Sequence, residues 1–137
     1  MSDTYEPEMD RDDVLDRFIA DGDWTEAEDF AHSVDELWQC AESLARLARA
    51  LAKAGRPTDA MRIRSDAVAV AREGELSNHV QDSLDSSSML WELAVDLMGS
   101  GEKDRALDVA RRIANAGKRQ RALETLEQLA PDALRLS

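Results

Sequence analysis

From about residue 10 onward, nonpolar side chains recur at helical spacing, and a glycine or a turn cluster closes each run. Val14, Leu15, Phe18 and Ile19 make one apolar stripe, which predicts a helix that stops near Gly22 in the turn Asp21-Gly22-Asp23. Thr25 followed by Glu28 reads as a capping box that opens a short second helix, with Ala27, Phe30, Ala31 and Val34 facing inward. Ser33 and Glu36 repeat that signature and predict the start of a long helix carrying Leu37, Leu44, Leu47, Ala48 and Leu51. Gly55 is suited to end it and Pro57 to begin the next, which runs to about Arg72 with Ala60, Met61, Ile63, Ala67, Val68 and Val70 inside.

The stretch 73–88, EGELSNHVQDSLDSSS, is poor in apolar residues. It reads as the polar start of a long helix capped at Asn78 with Gln81 answering, because Val80 and Leu84 continue the spacing of Leu90, Leu93, Ala94 and Leu97; an irregular connection is the alternative. Gly99-Ser100-Gly101 is the stop. A helix capped by Asp104 follows, with Ala106, Leu107, Val109, Ala110 and Ile113, and breaks at Asn115-Ala116-Gly117. The last helix, with Ala122, Leu123, Leu126 and Leu129, is closed by Pro131. The expectation is an all-α chain of about seven helices without strands.

One pattern occurs three times. Leu44, Leu47, Ala48, Leu51, Gly55, Ala60 and Ala67 correspond to Leu90, Leu93, Ala94, Leu97, Gly101, Ala106 and Ile113, and to Val14, Leu15, Phe18, Gly22, Ala27 and Val34. Each copy predicts two helices joined at the glycine, with small residues allowing close approach and larger ones filling the seam. The succession Leu47-Ala48, Leu51, Gly55, Ala60 resembles the tetratricopeptide repeat, a helix-turn-helix unit of about 34 residues. The 33-residue step from Gly22 to Gly55 fits that period, whereas the step from Gly55 to Gly101 is 46 residues. Phe18, Leu51 and Leu97 stand where the family usually has tyrosine, and no proline closes a unit. The resemblance implies antiparallel helix pairs stacked as a short right-handed α-solenoid, with a looser helical bundle as the alternative.

Composition sharpens this picture. The 137 residues suffice for one core, read as a single helical-repeat domain over 10–137 behind a disordered acidic tail over 1–9. Residues 1–36 hold fourteen acids against Arg11 and Arg17, which equals the whole net charge of -12. The segment 103–121 is basic, with five more cations than acids. A single cysteine, Cys40, excludes an intrachain disulfide, and the first residues lack the basic and apolar segments of a secretory signal, so a cytoplasmic location is expected. The most apolar window, MLWELAVDLM, is too short to span a membrane and carries Glu92 and Asp96.

Signals for chemistry are weak. His32 and His79 lack a second histidine or a cysteine at i+3 or i+4, with only Asp35, Glu36 and Asp82 at that spacing, so no metal site is expected. Asp21-Gly22-Asp23 lacks the alternating oxygens of a calcium loop, there is no phosphate-binding glycine loop, and Cys40 has no nucleophile signature. Neither enzymatic activity nor a cofactor is expected. In the family that the chain resembles, the first helix of each pair lines a groove. That carries the groove positions onto Asp12, Asp16 and Ile19, then Glu42, Ala45, Arg49 and Lys53, then Ser88, Trp91, Val95 and Met98. Trp91, Val95 and Met98 would anchor a protein or peptide partner, and Arg49 with Lys53 would clamp its carboxylate. The alternative function is an acidic inhibitor or nucleic-acid mimic acting through the carboxylate-rich first third. Binding to nucleic acid itself is not expected, since 103–121 has no aromatic residue for stacking, and head-to-tail homo-oligomers of acidic and basic ends are a further option.

Overall fold

A computed structural model describes residues 10–129; the expected tail over 1–9 and the stop at Pro131 lie outside the described residues. Among these residues there are seven α-helices and no strand: α1 (Arg11–Ala20), α2 (Trp24–His32), α3 (Leu37–Lys53), α4 (Pro57–Gly74), α5 (Val80–Gly99), α6 (Lys103–Arg111) and α7 (Ala116–Leu129). The long α3 and α5 organise the core. α3 packs against α1, α2, α4 and α5, and α5 against α3, α4, α6 and α7. Leu15, Leu44, Leu47, Ile63, Leu90, Leu93, Ile113 and Leu126 are the largest apolar side chains wholly withdrawn from solvent.

The turns α1–α2, α3–α4 and α5–α6 are built alike. Gly22, Gly55 and Gly101 take φ of 75°, 78° and 83°, a left-handed conformation that side chains with a Cβ disfavour. At each, the following residue's N–H reaches five residues back, Asp23 to Phe18, Arg56 to Leu51 and Glu102 to Leu97, all at 2.9 Å. The glycine's own N–H bonds to the carbonyl three residues back, completing a Schellman end that satisfies carbonyls the helix leaves open. Five residues after each glycine, Ala27, Ala60 and Ala106 are buried, as close helix approach requires.

Several helix starts differ from expectation. α2 begins at Trp24 with Asp23 as N-cap, so Thr25 lies inside the helix and Glu28 is bonded by Arg62 instead of closing a box. Ser33 closes α2, its hydroxyl donating to the Phe30 carbonyl, and Glu36 is the N-cap of α3. Asp104 sits in the first turn of α6 behind Glu102. None of these N-cap residues, Asp23, Glu36 and Glu102, makes a side-chain cap hydrogen bond. The Ser-rich stretch is mostly helix, as favoured, but α5 starts at Val80 after a His79 N-cap, and Val80 is 74 % exposed rather than inward. Asn115, Ala116 and Gly117 do not form a simple break: Asn115 Oδ1 accepts the Lys118 N–H at 2.9 Å and thereby opens α7.

The connection after α4 is held by Glu75. Its carboxylate accepts from the Ser87 hydroxyl (2.6 Å) and from the Ala114 N–H (2.9 Å), joining the α4–α5 and α6–α7 links. Beside it α4 and α5 almost touch: a Cβ built on Gly74 would collide with Ser86 Oγ and lie 3.0 Å from Ser86 Cβ. Ser86 is therefore a small packing residue on α5, and Ser87, buried next to it, is held by Glu75.

Candidate functional site

Arginines on α1, α3 and α4 connect helices that are distant in sequence. Arg11 meets Glu42 at 2.7 Å, and Arg46 meets Asp12 and Asp16 at 3.1 and 3.4 Å, tying α1 to α3. Arg62 grips both oxygens of Glu28 at 2.8 and 3.0 Å, tying α4 to α2. That bidentate bond holds the Glu28 carboxyl below its usual range, with burial opposing. Part of the acidic first third thus offsets the arginines of the second.

Between α3 and α5 lies a concavity of about 260 Å³ lined by Arg49, Trp91, Glu92, Val95 and Asp96. Arg49, Trp91 and Val95 were expected at one site and are brought together here. Trp91 is half-buried and packs against the core. Met98 is also half-buried against the core, and Lys53 is exposed; neither lines this concavity. Ala45 is buried in the core and cannot face a groove, because α3 turns that side inward with Leu44 and Ala48. Ser88 and Ile19 are half-buried, while Asp12, Asp16 and Glu42 are engaged in the pairs above.

Glu92 and Asp96 were not singled out as site residues, yet they set the electrostatics. Arg49 Nε donates to Asp96 at 2.9 Å and its other end lies 3.6 Å from Glu92. Arg49 is therefore already paired rather than a free clamp. Burial pushes the Glu92 carboxyl up; Arg49 opposes that, and Glu42 and Asp96 add like-charge repulsion. With 55 % of its side chain still in solvent, the effect on stability is small. The spacing Glu92-x3-Asp96 beside Trp91 is a sequence signal for a polar rim on one helix face.

The described residues hold one further cluster of potential ligands. His32 Nε2 lies 3.7 Å from Glu28 and 3.5 Å from Asp66, rather than beside Asp35 or Glu36. Arg62 already occupies both Glu28 oxygens, so the cluster is an extension of the α2–α4 ion pair. Cys40 is buried, donates to the Ala31 carbonyl at 3.3 Å and has its thiol pushed up by burial, which suits packing. No helix among the described residues is long and apolar enough to cross a membrane. No protein-family model matches the chain, and neither the curated proteins nor the solved structures yield a match.

Proposed function

We propose that this chain is a short tetratricopeptide-like α-solenoid of antiparallel helix pairs that binds a protein or peptide partner across the face formed by α1, α3 and α5. The observation that carries the reading is the contact order: α3 touches α1 and α5, and α5 touches α7, so the odd-numbered helices form a continuous layer. The three identical glycine turns support the same arrangement. On that layer the concavity beside Trp91 is about 260 Å³, room for a single inserted side chain, below the roughly 300 Å³ at which small-molecule pockets begin. The partner places an apolar side chain on Trp91 and Val95, and Arg49, Glu92 and Asp96 supply a rim of both signs. Mimicry by the acidic first third draws less support, since Asp12, Asp16 and Glu28 are held by arginines of the same chain.

The reading is tested with a photo-crosslinking residue at Val95 in the native host, followed by identification of the crosslinked protein. The Trp91→Ala, Arg49→Glu double variant is expected to abolish that crosslink while its circular-dichroism melt stays close to the parent's. Unchanged crosslinking, or unfolding of the variant, returns these residues to a purely structural role.

A further inference from the structure

We propose that the cleft between α4 and α6 is a binding site for a monocarboxylate carried on an apolar body. This is a different surface from the α3–α5 face, and it stands whether or not that face binds a protein. The cleft encloses about 430 Å³, within the range of small-molecule sites. Val68, Ala69, Leu97 and Val109 form its apolar wall.

The decisive residue is Arg64. It lines the cleft, it is only 4 % exposed, and it makes no hydrogen bond or ion pair among the described residues; its Nε is fully buried without an acceptor. A buried guanidinium normally has a carboxylate or carbonyl partner, because removing the charge from water is otherwise uncompensated. The repeat shows that packing alone does not call for arginine here. Nine residues after the turn glycine the first pair has Ala31 and the third Ala110, both wholly buried, while the second has Arg64. The middle pair places a cation where its counterparts place a methyl group.

The remaining charges indicate the sign of the missing partner's charge. Arg72 lies 3.6 Å from Asp108 but its Nε, like that of Arg64, is buried without an acceptor. Arg105 and Asp104 complete the charged lining. The three guanidinium groups of the lining outnumber its two carboxylates, and Arg112 outside the lining also pairs with Asp108 at 3.1 Å, so the cleft favours an anion. A dianionic phosphate would face repulsion from Asp104 and Asp108. The planar carboxylate matches the fork of Arg64, and the apolar wall takes the body behind it.

The test is titration of the isotope-labelled full chain, followed by amide chemical shifts, with N-acetyl-leucine, hexanoate, inorganic phosphate and the uncharged N-acetyl-leucinamide. Saturable shifts centred on Val68, Ala69 and Val109 with either carboxylate are expected. Binding should weaken about ten- to a hundredfold when the charge is removed in the amide, a comparison that needs no variant. Preference for N-acetyl-leucine identifies a peptide C-terminus as the source of the carboxylate, and preference for hexanoate identifies a free aliphatic acid. Arg64→Ala, which installs the residue of the other two pairs, is expected to fold and to lose the same factor. Equal binding of acid and amide, stronger binding of phosphate, shifts centred on Trp91, or no saturable shift overturns the proposal.

Discussion

α3 and α4 adjoin α5 and α6 along two seams that treat arginine in opposite ways. Along α3–α5, Arg49 stands in solvent and is held by Asp96 and Glu92. Along α4–α6, Arg64 is buried and unpaired although Asp104 and Asp108 line the same cleft. Both seams begin at equivalent turns, so the difference does not come from the backbone design. It comes from which face of the helix the arginine occupies: the Arg49 side faces outward, whereas the position of Arg64 is the one that its counterparts fill with buried alanine. An exposed ion pair contributes little to stability, while a buried cation without a partner works against it.

Four measurements break or sharpen this comparison. The largest effect is expected from Ala106→Phe or Ala60→Phe, each overpacking the close approach of the two helices joined at a glycine turn and costing about 1–3 kcal/mol in chemical denaturation; Glu102→Gln should change almost nothing. If the two kinds of substitution proved equally harmless, the helix-pair register would be wrong. Next, Arg64→Met is expected to stabilise the chain by about 1 kcal/mol, because the buried charge is replaced by an apolar group of similar length. Arg49→Met should cost no more than about 1 kcal/mol. A loss from Arg64→Met as large as from any core truncation would mean that the guanidinium is structurally satisfied.

Glu28→Gln should then cost about 0.5 kcal/mol at neutral pH, since the Arg62 pair lowers the folded-state pKa of Glu28. A depressed carboxyl contributes stability above its unfolded pKa and loses it as pH falls through the folded one. The gap between parent and variant should therefore close in acid, and a gap independent of pH would assign the effect to packing. The smallest effect is at Glu92, whose pKa is raised. There the fold favours the protonated form, so stability is lost as pH rises through the raised value. Glu92→Gln is accordingly expected to lift the melting temperature slightly at neutral pH and not in acid, and a drop at neutral pH would show that the Arg49 pair outweighs desolvation.

The site was legible only in part. Trp91, Val95 and Arg49 could be placed together because helical spacing and the repeat put them on the first helices of their pairs. That Arg49 is neutralised could not be read in this way, because Asp96 is 47 residues away and its approach depends on how α5 crosses α3. Ala45 was misplaced for the same reason: a small residue is compatible with either a groove or a core, and only the packing of α3 decides. The cleft lined by Arg64 gave a weak signal, an arginine where the aligned copies have alanine, and that signal has no meaning until burial is known.

The sequence by itself determined the number of helices, the three left-handed glycine turns and the small residues five places after them. Those features follow from interactions within a few residues, apolar periodicity and the freedom of Gly22, Gly55 and Gly101 to adopt positive φ. Only the tertiary structure decided which charges are paired, which serines serve as packing surface and why α2 and α3 open without their capping boxes. Each of these depends on side chains brought together from distant parts of the chain. Arg62 reaches Glu28 across 34 residues, Ala114 reaches Glu75 across 39, and Arg64 lines the α4–α6 cleft without an ion pair among the described residues.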